Sequence, residues 1–478
     1  MNDAGLAESA AEDLKWHDAM NALQPGNRLL RVVEEEVYEG RCLAKIPVAL
    51  GIREPAYNRR LNVPASALER GELSIRRQAA PTPKWRNARG FEPSTKTLAT
   101  AVGAPAVTRE EVFSGDPYNN VSENIFSKMG RNLHHQEDHP LGIIKNVIWE
   151  YFDTLDGKAF EKFDDLKPIV STEMNFDQVL VPKDHVSRSP NDTYYVDEET
   201  VLRCHTSAHQ TETLQQGHDR FLVIGDVYRR DTIDATHYPV FHQMEGVRVF
   251  EPAEWEAAGV DGTEFAAKEL KETLEGMTRH LFGNVEMRWV DAYFPFTEPS
   301  FELEIFFKGE WLEVLGCGVM QQQILDGAGG EGKKAWAFGL GLERLAMVLF
   351  EIPDIRLFWT EDERFTKQFK AGDFTPGGAG IKFQSFSKFP PCLKDVSFWV
   401  NDEFTENNLC EQVRNIAGDL VENVVLIDDF TNKKINKRSN CYRITYRSME
   451  RSLTNEEIDA LQEKVRETMA GEMGLELR

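Results

Sequence analysis

Between Asp219 and Gly341 the chain is dominated by runs of strand length and strand composition: DRFLVIGDVYRRD, HQMEGVRVF, EMRWVDAYFPF, FELEIFFKGEWLEVLGCGVM and KAWAFGLG. Segments rich in Val, Ile, Phe, Trp and Tyr and bounded by Gly, Asp and Pro read as strands. They are interrupted once, by a long amphipathic helix over Asp261–Phe282 that Asp261-Gly262-Thr263 opens. The last run feeds a helix over Leu342–Leu349, which stops before Pro353. Upstream, EDHPLGIIKNVIWEYF (Glu137–Phe152) predicts a helix with Asp138 as its cap and a proline in its first turn. Leu141, Ile144, Ile148 and Tyr151 then recur at helical spacing. FDQVLVP and TYYV read as further strands, and the fold class is α+β.

A chain of 478 residues is too long for one hydrophobic core, so two or three domains are expected. AGDFTPGGAG (371–380) reads as a linker. Beyond it come a strand (KDVSFWV), a helix near Glu406–Ala417, two strands (ENVVLIDDF and NCYRITYRS), a helix opened at Thr454–Glu457 and an apolar end, GLELR. That order is the split βαβ pattern of a ferredoxin-like domain. The expected division is an N-terminal extension over 1–114, a central domain over 115–370, which the resemblance described below makes the catalytic one, a linker over 371–384 and the ferredoxin-like domain over 385–478. The first 40 residues are acidic, whereas residues 53–96 are basic and contain IRRQAAPTPKWRNARG. A transit peptide is Arg-rich and poor in acids, so targeting and a plain extension both stay open for this segment.

The formal net charge of -24 argues against blanket nucleic-acid binding and leaves room for a local basic face. No apolar run approaches the roughly 18 residues needed to span a bilayer, so no membrane partner is expected. The cysteines at 42, 204, 317, 392, 410 and 441 form no Cys-x-x-Cys pair and read as reduced thiols.

Five stretches carry candidate chemistry. YFPFTEPSFELE (Tyr293–Glu304) puts Phe294 and Phe296 on one side of an extended segment, beside Glu298, Glu302 and Glu304. It is either a core strand entering a solvated loop or a pocket for something aromatic and charged. In DVYRRDTIDATH (Asp226–His237) an apolar strand ends in Arg229, whose planar fork suits a phosphate or carboxylate, with Asp231 on the same face. A surface ion pair on a hairpin is the alternative. In FGLGLERLAMVLF (Phe338–Phe350) two glycines permit close approach, and Arg344 in the first helical turn opposes the macrodipole. A bound anion would offset that cost; a tight turn with a solvent-facing arginine is the alternative. RCHTSAHQTETL (Arg203–Leu214) offers His205, Ser207 and Gln210, and its Cys204, His205 and His209 are an incomplete ligand set, so no zinc is expected. In FHQMEGVRVF, Gln243 and Glu245 alternate onto one face and suit an ammonium group.

Taken in order, HTS with its Gln, VYRRD with DATH, FHQMEG, FPFTEPSFE, GCGV and FGLGLERLAM resemble the motifs of phenylalanyl-tRNA synthetases, over about residues 115–478. Phe163–Pro168, Val227–Phe241 and Gly339–Arg344 look like the three motifs of the class II synthetase core, which is built on an antiparallel sheet. The tail from FSKFPPCLKDVSFWV to NCYRITYRSMERSLTNEEI resembles the ferredoxin-fold anticodon-binding domain. Its direct fusion to the core, and VPKDHVSRSPNDTYYV, resemble the organellar single-chain form. The resemblance implies ATP-dependent attachment of L-phenylalanine to tRNA(Phe) through a phenylalanyl-adenylate, with magnesium, in a mitochondrion or plastid, by a monomer.

The resemblance also implies roles. Arg229 is expected on the α-phosphate and the substrate carboxylate, Asp231 beside the adenine amino group in place of the usual glutamate, His237 along the nucleotide, and Arg344 at the γ-phosphate. His205, Ser207, Gln210, Gln243 and Glu245 are expected to hold the amino acid's ammonium and carboxylate. Phe294 and Phe296 would clasp its ring, with Ala337 as the small residue of the pocket floor. Glu298 or Glu313 would reach magnesium. Lys433, Lys434, Lys437, Arg438, Arg443, Arg447 and Arg451 crowd the last domain, where tRNA phosphates would dock; a solvated hairpin is the alternative.

Overall fold

The computed structural model describes residues 107–478 apart from 378, 379 and 387, together with two short antiparallel strands, Glu36–Tyr38 and Arg41–Leu43. The rest of the basic and acidic N-terminal stretches lies outside the described residues.

A seven-stranded sheet organises the larger part of the chain. Its strands are β1 (Glu161–Phe163), β2 (Arg220–Tyr228), β3 (Val240–Phe250), β4 (Glu286–Phe294), β5 (Thr297–Phe307), β6 (Glu310–Met320) and β7 (Lys334–Gly341), in the spatial order β1-β2-β3-β7-β6-β5-β4. Only β1 pairs in parallel; every other neighbour is antiparallel. Side chains alternate across a strand, so the apolar residues of one phase all reach one face. That back face includes Leu222, Met244, Phe338, Cys317 and Leu303, and it packs on helices α1 (Pro140–Asp153), α2 (Gly262–Phe282) and α3 (Leu342–Phe350). Phe338 is at the centre, stacked on Phe152 of α1 at 5.7 Å. A methyl group at Gly246 would come within 2.2 Å of its ring, so this glycine exists to admit it.

Two local expectations fail. The cap of α1 is His139, not Asp138: its Nδ1 accepts from the Leu141 amide at 3.2 Å and its Nε2 donates to the Phe358 carbonyl at 3.0 Å. Burial pushes this imidazole down to about 4, so it stays neutral and can do both. Asp138 instead accepts from Lys370 at 2.8 Å and from the Ala371 amide at 3.0 Å. The stretch FDQVLVP is not a strand. Glu173–Asp177 forms a π-helical turn, and the Asn175 side chain accepts from the Cys204 amide at 2.9 Å. Tertiary contact overrides β propensity here, because Val179 and Val181 reach a small cluster with Phe176, Val201 and Ala208 without strand pairing.

The C-terminal domain matches the split βαβ expectation. Strands β8 (Cys392–Trp399), β9 (Val421–Asn432), β10 (Lys437–Tyr446) and β11 (Glu476–Leu477) lie in the order β9-β10-β8-β11, all antiparallel. Helices α4 (Glu406–Ala417) and α5 (Asn455–Gly471) contribute Leu409, Val413, Ile458 and Val465 to its core.

Replacing Phe338 with Ala removes a buried ring from the centre of the back face. The expected loss is about 3–5 kcal/mol of unfolding free energy, measurable by urea denaturation of the full chain.

Candidate active site

The front face of the same sheet has a different composition. Register places Val223, Glu245, Gly339, Gly316 and Glu302 directly opposite one another across successive strands. A second row holds Phe221, Val247, Ala337, Gly318 and Ser300, and a third Gly225, Gln243 and Gly341. The glycines divide by what lies above them. A Cβ on Gly225 would stand 1.9 Å from the Arg203 guanidinium, and one on Gly316 would stand 2.5 Å from the Phe294 ring. Above Gly339 and Gly341 there is nothing within 4 Å. Neither has a positive φ, so neither packing nor backbone strain asks for glycine at these two positions. They leave a bare strip of backbone where a ligand can lie.

Glu245 stands beside that strip and is almost wholly buried. Burial pushes its carboxyl up to about 7, against hydrogen bonds from Ser207, Gln210 and Thr206 that favour the ionised form. All three donors are neutral, so the carboxylate has hydrogen bonds but no counter-charge from them. The Gln210 carbonyl oxygen and His205 Nδ1 are buried without a hydrogen-bond partner. Burial, and then the Arg229 charge, push His205 down to about 3, so its ring is neutral. These residues come from the turn Thr206–His209 and the short helix after it, braced by Asn175 against the Cys204 amide.

The two phenylalanines do not share one strand face. Phe294 ends β4, and Phe296 lies in the turn before β5. Their rings are parallel to within 10° with centroids 5.8 Å apart. A third ring between them would need about 7 Å, twice an aromatic contact distance. The pair therefore forms one continuous wall, the tip of the Phe294 ring closing over Gly316 and Phe296 extending it towards His205 at 6.4 Å. Phe296 packs against the cluster that contains Ala337, Val247 and Phe221.

At the other end of the strip are the arginines. Arg229 donates through Nε to the Cys204 carbonyl at 2.8 Å and lies over the Phe241 ring at 5.0 Å. Arg344, half-exposed in the first turn of α3, pairs with Glu313 at 3.2 Å. The preceding Glu343 is buried and accepts from both the His242 amide (2.8 Å) and His242 Nδ1 (2.7 Å), which ties the start of α3 to β3. Asp231 accepts from the Thr232 amide at 2.8 Å, and His237 Nδ1 is 2.7 Å from Asp234.

Sequence reasoning missed Glu302. It shares a row with Glu245, and burial, then Glu313 and Glu304, push its carboxyl up to about 7 while Arg344 opposes. Glu313 belongs to this group, whereas Glu298 is exposed in the irregular stretch between Thr297 and Ser300. Hard carboxylate oxygens of raised proton affinity suit magnesium. Among the described residues, no group of three or more His, Cys, Asp or Glu is arranged to hold a metal ion. Cys204, His205 and His209 do not converge: Cys204 contacts Thr193, and His209 contacts Arg203 and Glu212. The signal for Glu302 was present in the alternation of FELE. Thr206, Asn175 and Phe241 had none, because their roles depend on segments far away in the chain.

The basic residues of the last domain are mostly engaged. Lys437 pairs with Glu476, Arg438 with Asp429, Arg443 with Asp395 and Arg451 with Glu457. Arg447 turns inward to the Phe389 carbonyl at 2.9 Å and to Glu422 at 3.1 Å. Lys433 and Lys434 are exposed in the turn between β9 and β10, with no ion pair among the described residues.

Residues 124–369 match the model of the tRNA synthetases class II core domain (F), and residues 387–478 that of the ferredoxin-fold anticodon binding domain. The chain is 64% identical over 381 residues to the phenylalanine–tRNA ligase, chloroplastic/mitochondrial, of Arabidopsis thaliana, covering 80% of this chain and 88% of that one. It is 50% identical to the mitochondrial phenylalanine–tRNA ligase of Dictyostelium discoideum, covering 75% and 89%, and 48% identical to that of Mus musculus, covering 79% and 90%.

The raised carboxyl of Glu245 sets a pH dependence. With a ligand ammonium on Glu245, as the resemblance implies, only the ionised form would pair with it, so affinity would be full well above pH 7 and fall below it. KM for phenylalanine is expected to be about tenfold higher at pH 6 than at pH 8, with Glu245→Gln raising KM and flattening the profile. On the ligand-free fold the sign reverses. A carboxyl raised from 4.5 to about 7 contributes stability that is present below 4.5 and lost as pH rises through 7.

Proposed function

The chain belongs to the phenylalanine–tRNA ligase family of class II aminoacyl-tRNA synthetases, and on that footing we propose how its residues carry out the reaction. It attaches L-phenylalanine to tRNA(Phe) at the expense of ATP, through a phenylalanyl-adenylate, for organellar translation in the mitochondrion or plastid. No helix among the described residues is long and apolar enough to cross a membrane.

In the first step the phenylalanine carboxylate attacks the α-phosphorus, an O–P bond forms, and pyrophosphate leaves. In the second, the 2′-hydroxyl of the terminal adenosine attacks the mixed anhydride carbonyl and AMP leaves. No side-chain nucleophile is required; positioning and charge neutralisation suffice. Glu245 and the Gln210 carbonyl take the α-ammonium, with Ser207 holding Glu245 in place. His205 and Gln243 border the carboxylate, and the benzyl ring lies along the Phe294–Phe296 wall. Arg229 neutralises the α-phosphate and the attacking carboxylate. Arg344 leaves Glu313 for the outer phosphates. Asp231 and His237 flank the base, and the adenosine rests on the bare backbone of Gly339 and Gly341. Magnesium, held by Glu302 and Glu313, would supply charge neutralisation at the phosphates.

The observation that carries this reading is Glu245: a buried carboxylate among neutral donors, at the head of an apolar wall. It fits an ammonium attached to an aromatic group and little else. Lys433 and Lys434 are the tRNA contacts best supported, since their charges are uncommitted. We assign activation to residues 115–370 and tRNA docking to 385–478, joined by 371–384, with 1–114 as an extension. One polypeptide carries both parts, and the enzyme is read as a monomer, which sedimentation velocity tests.

Arg229→Ala is expected to reduce ATP–pyrophosphate exchange by at least about a hundredfold with an unchanged circular dichroism spectrum; near-normal exchange would reject its role. A tyrosine hydroxyl against the wall would go unpartnered at about 1–3 kcal/mol, and a hydrophobic pocket rejects an added hydroxyl only about a hundredfold. Ala337 supplies the steric remainder. Ala337→Gly is expected to admit para-chlorophenylalanine, read as gain of pyrophosphate exchange with that analogue.

A further inference from the structure

The segment from Arg230 to Tyr238 joins β2 to β3 and carries Asp231 and His237, with Arg229 at its root. Its ties to the catalytic part gather near its two ends, where Arg230 donates through Nη1 to the Pro190 carbonyl and the Tyr238 ring stacks on Trp359 at 5.5 Å. The Arg230 amide donates to the Asp192 carbonyl at 2.9 Å, and the Ile355 amide to the Ala235 carbonyl at 2.8 Å. Between those points the loop is held by the ferredoxin-like domain. Asn407 of α4 donates through Nδ2 to the Arg230 carbonyl at 3.2 Å and to Asp192 at 3.0 Å. Arg414, two turns further along the same face of α4, donates through Nη2 to the Asp231 carbonyl at 2.9 Å. The Val424 amide of β9 donates to the Ile233 carbonyl at 3.0 Å. The Ile233 side chain is buried in the core of the ferredoxin-like domain, in one cluster with Leu409, Cys410 and Val424. At the far end Tyr238 donates to Asp419 at 2.7 Å.

The donors are themselves fixed. Arg414 is buried and donates through Nη1 to Glu411 at 2.7 Å, and Glu411 accepts from Tyr194 at 2.8 Å. A guanidinium held on one side by a buried carboxylate presents its other nitrogen in one direction only. Backbone carbonyls at Arg230, Asp231 and Ile233 are thus read by a different domain, while Asp231 and His237 of the same loop are the residues assigned above to the nucleotide.

We propose that the ferredoxin-like domain positions the nucleotide-binding loop, so that amino-acid activation, which involves no tRNA, depends on Asn407, Arg414 and the socket for Ile233. This rests on the assignment of Arg229, Asp231 and His237 to ATP made above. These are positioning residues. When a hold is lost the loop samples other conformations, and ATP selects the presenting one from a smaller fraction. The apparent affinity falls by that fraction, whereas the ammonium and ring subsites for phenylalanine, built on β3, residues 205–210 and the Phe294–Phe296 wall, lie outside the loop.

The test is ATP–pyrophosphate exchange by the full chain without tRNA, for Ile233→Ser, Asn407→Ala and the conservative Ile233→Val. KM for ATP is expected to rise about tenfold in I233S and severalfold in N407A, with KM for phenylalanine unchanged within about twofold. I233V is expected to behave as the parent, and circular dichroism is expected to show each variant folded at the assay temperature. KM for ATP unchanged in both I233S and N407A overturns the proposal, as does a joint rise of both KM values, which would mark general loosening. R229A in the same assay separates the two readings. If R229A exchanges normally, the nucleotide-site assignment fails; if R229A is inactive while I233S and N407A match the parent, only the coupling fails.

Discussion

Everything at the site depends on the two faces of one antiparallel sheet being built to opposite rules. The back must be apolar and filled, because helices α1, α2 and α3 have no other place to bury their stripes. Phe338 fills the space above Gly246, and the packing tolerates no change there without cost. The front must be empty where the ligand lies. Gly339 and Gly341 on β7 alternate with Phe338 and Leu340, so one strand supplies a core ridge on one side and a bare floor on the other. A period of two serves both demands with the same eight residues of β7.

On that floor the charges are arranged for a ligand rather than for the empty protein. Glu245 would be stabilised by a cation that its protein neighbours do not provide, and its raised carboxyl reports the cost. Glu302, raised first by burial and then by Glu313 and Glu304, would likewise be satisfied by a cation. Arg229 and Arg344 bring positive charge to the intervening space, one anchored to the Cys204 carbonyl and the other paired with Glu313. On the function proposed, a zwitterionic amino acid and a polyphosphate would together satisfy these groups. That is electrostatic preorganisation: the protein meets the cost on folding, so that little reorganisation remains when substrate binds.

Much of the architecture was legible in the sequence because it rests on local signals. The caps Asp261 and Thr454, the proline at the start of α1 and the alternation of the strands are short-range features, and both helices of the ferredoxin-like domain follow from them. The failures came where distant chain segments overrule local preference. FDQVLVP has the composition of a strand, yet its first two residues close the π-helical turn Glu173–Asp177, whose Asn175 side chain accepts from the distant Cys204 amide, and the rest runs on as a turn. Asp138 is a good cap, yet Lys370 and the Ala371 amide occupy it and His139 takes its place. Five of the seven basic residues counted along the last domain pair with acidic residues on other strands and helices, which no count along the chain reveals.

By itself the sequence determined the residue types of the site and the elements that carry them: arginines at the end of β2 and the start of α3, an acid and an amide alternating on β3, and the paired phenylalanines before β5. Those depend on spacing, and spacing is written in the chain. Only the tertiary structure decided that the two rings form a single wall, that Glu302 joins Glu313, and that Ile233 of the loop between β2 and β3 is buried in another domain's core. Each is a matter of strand register or domain packing, set by long-range burial that no local stretch of residues encodes.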